Sequence, residues 1–304
     1  MLIATGCGGS PKPVNTSGAA PVENPGPASA STPPSRAALI DLCAGATTVD
    51  VKVADIEPDS LDGKDSKEPS FPSPRKAKGK TYTMADLDAL ANRAQWAELL
   101  AHVEDIPPLE RKATWERLLV KAATEYVGSL SSKSDAYEGF WIAEGMVKRY
   151  PALPKSKEFM AKRADVGKKV FTECLQQSYS GKECIQRAKD FVNVDGTERD
   201  VALAIGKIVR QNQFPYVAVP FFQAAVAGTK NNAACADEDL RLAVVAGLAL
   251  PTNYENASGA RDVSANACWT ELRAPVLQEF KDNANGYLKD NVCSVLKAKG
   301  ELKP

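Results

Sequence analysis

From Thr83 onward the apolar residues of this chain return at every third or fourth position, with only short polar breaks between the runs. That spacing lines them along one stripe of an α-helix, because residues three and four apart share a helical face. Thr83 can cap a helix that carries Leu87, Leu90, Ala91 and Ala94. Pro107-Pro108 suits the first turn of the next helix, where a missing N–H costs nothing, and Trp115, Leu118, Leu119, Ala122 and Tyr126 form its stripe. Ser134 or Asp135 begins a third helix with Tyr137, Phe140, Trp141 and Val147, which Tyr150-Pro151 ends. A fourth runs from near Lys155 to Gln177 through Phe159, Val166, Val170, Phe171 and Cys174. Further helices are expected at 182–193, 197–212, 215–227, 237–250, 269–283 and 286–299, with 251–267 set apart as an insertion. Helices joined by short loops lie antiparallel to their neighbours. The expected fold is therefore all-α: an irregular α-solenoid or helical bundle of antiparallel helix pairs over residues 83–304, preceded by a disordered tail.

The chain before Thr83 has another character. Residues 8–35 hold seven prolines and two charges, Lys12 and Glu23. Such a segment cannot bury enough apolar surface to offset its chain entropy, so it reads as an extended spacer. Residues 36–82 form a transition. Ala37 to Cys43 suits a short helix, and Thr47 to Val53 alternates like a lone strand. The polar stretch Glu57 to Lys80 reads as a linker or surface loop. Within it, Asp55, Asp59, Asp62 and Asp65 lack the order of a calcium loop, and Arg75, Lys76, Lys78 and Lys80 make a solvated basic run.

At the start of the chain, Ala4-Thr5-Gly6-Cys7 precedes this spacer. The arrangement resembles the processing box of a bacterial lipoprotein signal, although Ala4 stands where that pattern usually has leucine. Only six uncharged residues precede Cys7, fewer than a signal's apolar region needs, so the reading expects a frame that opens further upstream. Residues 1–7 would be a residual signal and lipidation site. The resemblance implies acyl chains on Cys7 and a protein held on the bacterial envelope, in the outer membrane of a Gram-negative cell. No run of about 18 apolar residues offers a transmembrane helix.

Apart from Cys7 there are six cysteines, an even number that suits an oxidising compartment and three disulfides. Fifteen pairings are possible. Cys174 and Cys184 flank the turn-like Ser178-Tyr179-Ser180-Gly181 and would staple a helical hairpin. Cys235 with Cys268 would close the irregular segment between them, which leaves Cys43 with Cys293. There is no CxxC pair and no zinc-like ligand spacing.

Two stretches look like copies at an offset of 42 residues, Arg199-Asp-Val-Ala-Leu-Ala-Ile-Gly206 and Arg241-Leu-Ala-Val-Val-Ala-Gly-Leu248. Acidic residues precede each, at Asp195 and Glu198 and at Asp237 and Asp239. Over residues 195 to 285 this resembles HEAT repeats, whose period is about 40–47 residues. Tyr137 to Ala161, with its Arg149-Tyr150-Pro151 ending, resembles TPR helix pairs. Both resemblances imply stacked helix pairs and an extended surface for another protein.

Little in the chain carries catalytic chemistry. His102 is the single histidine and sits near a helix end, where it suits the dipole better than a hydrolase triad. GxSxG, GxxxxGK[ST] and CxxCH are missing. Glu138 and Glu144 flank Trp141 on one helix face and are the best carboxylates for glycan cleavage, although acids beside an apolar stripe are common. Trp96, Trp115, Trp141 and Trp269 read as packing residues, and Pro215 to Phe222 as central core. The 38 basic residues balance 38 acidic ones, so no field steers nucleic acid. The sequence points to a lipid-anchored envelope protein without a cofactor, metal site or catalytic residues, which binds a protein or peptide as a scaffold or assembly factor. The alternative is a carboxylate-dependent enzyme that cleaves envelope glycan.

Overall fold

The computed structural model describes residues 34–51, 81–130, 136–176, 182–194, 196–228, 233–283 and 286–303, apart from the side chains of 138 and 139. Among these residues there are thirteen α-helices and no strand. They are α1 (Arg36–Leu42), α2 (Met84–Asn92), α3 (Trp96–His102), α4 (Ala113–Leu130), α5 (Ala136–Arg149), α6 (Lys157–Gln176) and α7 (Lys182–Val192). Then follow α8 (Arg199–Asn212), α9 (Val219–Val226), α10 (Glu238–Leu248), α11 (Glu255–Asp262), α12 (Trp269–Asp282) and α13 (Gly286–Ala298). Cys7, the tail up to residue 33, and the Asp55–Asp65 and Arg75–Lys80 runs lie outside the described residues.

Helices stack on their second neighbours as well as their first. α4 packs on α6, α6 on α8 and α8 on α10, while α7 meets α9, α9 meets α11 and α11 meets α13. The hairpins are antiparallel where their cross-links can be read. In α6 and α7, Cys174 bonds Cys184 at one end and Arg163 donates to the Phe191 carbonyl at the other. At the contact of α8 and α9, a Cβ on Gly206 would stand 3.0 Å from the Phe222 ring, so only glycine allows this approach without a shift. The two stretches that align at an offset of 42 residues fall in α8 and α10. Lys207 and Arg210 in the second half of α8 pair with Asp237 and Asp239 at the start of α10. Arg210 in the last turn of α8 thus meets Asp239 in the first turn of α10, which suits both dipoles.

One part of the core is aromatic. Phe140, Phe171 and Phe191 are fully buried, with ring centroids 5.1–5.8 Å apart. Gly167 lies against them. A Cβ there would come within 2.9 Å of Phe140 and closer still to Phe191, so a methyl at this position would overpack the cluster. Next to it the guanidinium of Arg163, 0 % exposed, lies 4.5 Å from the Phe191 centroid. Its Nε and Nη2 donate to the two carboxylate oxygens of Glu144 at 2.6 and 2.5 Å, and Nη1 donates to Thr197 Oγ1 at 2.8 Å. Helices α5, α6 and α7 and the entry to α8 meet at this ion pair.

Several expectations need correction. The first helix does not reach Ala94. α2 ends at Asn92, and Ala94 is exposed at φ 55°. The N–H groups of Ala94 and Gln95 donate to the Ala91 and Leu90 carbonyls, a Schellman closure that normally uses glycine. Pro107-Pro108 opens a 3₁₀ turn, Pro108–Glu110, and α4 starts at Ala113 because Arg111 leaves the helical region at ψ 81°. The supposed insertion 251–267 contains α11 and a π-helical turn, Val263–Ala267. The buried residues of α11 include Ala257, Gly259 and Ala260, small enough for α9 to approach closely.

The described part of 36–82 also differs from a loose transition. The compact unit begins at Ser35. Cys43 is bonded to Cys293, which fastens α1 to α13. Thr47 to Val51 runs along α13 and is not a strand. Thr47 N–H donates to Asp290 Oδ1 at 2.7 Å, and Val49 N–H donates to Ser294 Oγ at 2.9 Å. Two residues of extended chain span about 6.6 Å and four of helix about 6 Å, so alternate N–H groups match an i,i+4 pair. The alternation in the sequence is real, but its partner is a row of helix side chains.

The third bridge joins Cys235 to Cys268, so the three disulfides are the three pairs expected from the sequence. At the far end, Gly300 takes φ 74° and turns the chain back over α13. Glu301 then accepts hydrogen bonds from Trp269 Nε1 at 2.6 Å and Arg273 Nε at 3.0 Å, which closes α12 against α13.

Candidate functional site

A cleft of about 400 Å³ opens where the α3–α4 connection meets the end of α5 and the turn after it. The chain bends here because α3 ends at His102 and the connection, through Pro107 and the 3₁₀ turn Pro108–Glu110, stays non-α-helical until Ala113. Trp115, in the first turns of α4, donates its indole N–H to the Val103 carbonyl at 2.9 Å. The Arg111 guanidinium lies 5.2 Å from the Trp115 ring centroid. Its Nε donates to the Ile106 carbonyl at 2.9 Å and Nη2 to the Glu104 carbonyl at 3.2 Å. Stacking and two backbone acceptors hold this side chain in one pose.

The opposite wall comes from the end of α5. Arg149 pairs with the Glu104 carboxylate and lies 5.9 Å from the Tyr150 ring. Tyr150 donates its hydroxyl to Glu104 Oε1 at 3.0 Å, and its ring meets Trp115 edge-on at 6.2 Å. Burial pushes the Tyr150 phenol above its usual range, and the Glu104 charge and hydrogen bond push the same way. Leu119 lies buried beneath the cleft, and Glu116, Pro151, Ala152 and Lys155 complete the lining. Lys155 is exposed and has no ionic or hydrogen-bonded partner among the described residues.

The residues singled out from the sequence fall elsewhere. His102 is buried, with Nδ1 2.9 Å from Asp105 Oδ2 and its ring stacked on Tyr82 at 3.8 Å. Among the described residues no serine, threonine or cysteine bonds to it. Glu144 faces the interior and both its oxygens are held by Arg163, while the Glu138 side chain lies outside the described set. Trp141 is half-buried beneath Arg187, 4.4 Å from its ring centroid. Within Pro215 to Phe222, Val219, Phe221 and Phe222 are buried as expected. Tyr216 is half-buried and stacks on Phe214, itself 71 % exposed, at 5.7 Å.

The cleft is not legible in the sequence, because its parts come from three separate stretches. The packing role expected of Trp115 fits its indole bond to Val103, yet its ring also carries Arg111. The usable signal was a cation beside an aromatic residue, twice: Arg111 four positions before Trp115, and Arg149 next to Tyr150.

Among the described residues no group of three His, Cys, Asp or Glu side chains is arranged to hold a metal, and no helix is long and apolar enough to cross a membrane. No protein family, curated protein or solved structure matches the chain.

Proposed function

We propose that this protein is a lipid-anchored envelope module, stabilised by disulfides, that binds a segment of another protein through the cleft between α3, α4 and α5. The observation that carries the reading is the preset cationic and aromatic lining of that cleft. Arg111 is stacked and bonded before any ligand arrives, so little side-chain freedom is lost on binding. Aromatic residues and arginine are also the types that concentrate binding energy at protein interfaces.

Three cystine bridges support a location outside the cytosol, where thiols oxidise. The Pro-rich stretch before Ser35 suits a spacer between bilayer and domain. Acylation of Cys7 and the HEAT-like and TPR-like descent of the helices belong to this proposal too. The glycan-cleaving alternative draws no support from Glu144, whose carboxylate is neutralised by Arg163.

A photo-crosslinking residue placed at Ala152, on the cleft rim, tests the reading in the native host. We expect one dominant captured protein, identified by mass spectrometry, and no equivalent product from the same residue placed at exposed Asp165 on α6. Equal capture from both positions, or none from Ala152, would refute it. Palmitate labelling of wild type against Cys7→Ala tests the anchor separately.

A further inference from the structure

The charges in the cleft point to the chemistry of its occupant. Three cations, Arg111, Arg149 and Lys155, share it with two carboxylates, Glu104 and Glu116. Glu104 is already engaged by both Arg149 and Tyr150. Arg111 bonds only neutral backbone carbonyls among the described residues, which fix its orientation without cancelling its charge. Two of the five guanidinium N–H groups are used in this way, so three remain to donate. Lys155 adds a second cation without a partner among the described residues. The apolar surface beside these donors is the half-buried Trp115 ring, with Pro151 and Ala152 on the rim.

We infer that the cleft selects an acidic peptide segment, with a glutamate or aspartate carboxylate received by Arg111 and Lys155 and a neighbouring apolar side chain resting on Trp115 and Pro151. This rests on the peptide-binding reading above and specifies its ligand. Arg149, Glu104 and Tyr150 act as positioning residues that shape the opposite wall. A volume of about 400 Å³ lies toward the small end of ligand sites, which suits a few residues of extended chain and not a folded surface. An incoming carboxylate would accept charge-assisted bonds from a planar donor that is already oriented, the strongest class of hydrogen bond available to a side chain.

The test uses the full chain and calorimetric titration with three probes. These are a blocked hexapeptide of alternating glutamate and leucine, its glutamine–leucine counterpart, and free glutarate. We expect the glutamate peptide to bind at least tenfold more tightly than the glutamine peptide, and more tightly than glutarate, with the difference shrinking as salt is raised. Lys155→Ala should weaken the glutamate peptide severalfold and the glutamine peptide much less. Arg111→Gln should abolish the preference. Lys155 is exposed, so its variant keeps the test valid if Arg111→Gln fails to fold. Equal binding of the two peptides would overturn the carboxylate inference while leaving peptide binding intact. Glutarate binding as tightly as the peptide would make the ligand a free small acid and overturn the peptide part. Absence of binding by the glutamate peptide at millimolar concentration would overturn the inference outright, and crosslinking at Ala152 would still judge the broader reading independently.

Discussion

Replacing Glu144 with glutamine should destabilise the domain by about 3 kcal/mol, because it strands the Arg163 cation in the interior. Arg163 is 0 % exposed and Glu144 3 % exposed, so water cannot take over as counter-ion. Two unit charges about 4 Å apart attract by about 4 kcal/mol at an effective dielectric of about 20. Breaking one side of a buried pair costs about 3–5 kcal/mol, since the remaining charge keeps its desolvation penalty. Glutamine preserves the shape and one acceptor oxygen, which places the loss at the low end. The bonds from Arg163 to Thr197 and to the Phe191 carbonyl remain and hold the charge where it is. Urea unfolding of the disulfide-intact protein should show a lower midpoint at unchanged slope. For a domain of this size the melting point should fall by roughly 6–12 °C. Replacing both partners by apolar residues, Glu144→Leu with Arg163→Met, should recover most of the loss, because no buried charge or amide is then left without a partner. A single-variant loss below about 1 kcal/mol would refute the account, as would a double variant less stable than Glu144→Gln alone.

The pH dependence at the C-terminal clasp follows from Glu301. Burial raises its carboxyl, but hydrogen bonds from Arg273 and Trp269 and the charges of Arg273 and Lys299 outweigh that and hold it below its ordinary 4.5. A depressed carboxyl contributes stability that is complete above the unfolded value and is lost as pH falls through the folded one. Trp269 fluorescence should therefore report loosening of α12 against α13 below about pH 4.5, and Glu301→Gln should flatten that window; an unchanged acid profile in the variant would contradict the assignment. The bridges should rank by the length of chain they close. Sequence separations of 250 and 10 residues correspond in the chain-entropy model to about 5.5 and about 2.7 kcal/mol. The Cys43→Ser/Cys293→Ser protein should thus unfold at clearly lower denaturant than the Cys174→Ser/Cys184→Ser protein, and the reverse order would show that local strain or residual structure decides instead.

Large apolar residues at helical spacing made most of the fold readable. Trp115, Leu118 and Leu119 on α4 and Phe159, Val166 and Val170 on α6 needed nothing beyond periodicity. α11 escaped because Ala257 and Ala260 carry its packing and the stretch leading into it, Asn253-Tyr254-Glu255-Asn256, has turn chemistry. The break at Ala94 escaped because alanine occupies a conformation in which glycine would have signalled a helix end. The partner of Thr47 and Val49 lies more than 240 residues away, and no local pattern can name it. The cleft was hidden for a related reason. An overall charge of zero is an average, and it conceals three cations, Arg111, Arg149 and Lys155, gathered at one corner by the fold with two carboxylates, Glu104 and Glu116. Glu144 gives the opposite lesson: a carboxylate that looked free for chemistry on a helix face is committed to holding four elements together.

The bond between Cys43 and Cys293 also decides where mechanical load travels. A pull arriving along the chain that precedes Ser35 reaches α13 through sulfur, after passing only the first short helix. Everything between the two cysteines forms a closed covalent ring that tension between the chain's ends cannot draw out. A molecule tugged at its leading end while its far end is held would give way at α1 or at the last turn of α13, with the stacked helices in between shielded from the force.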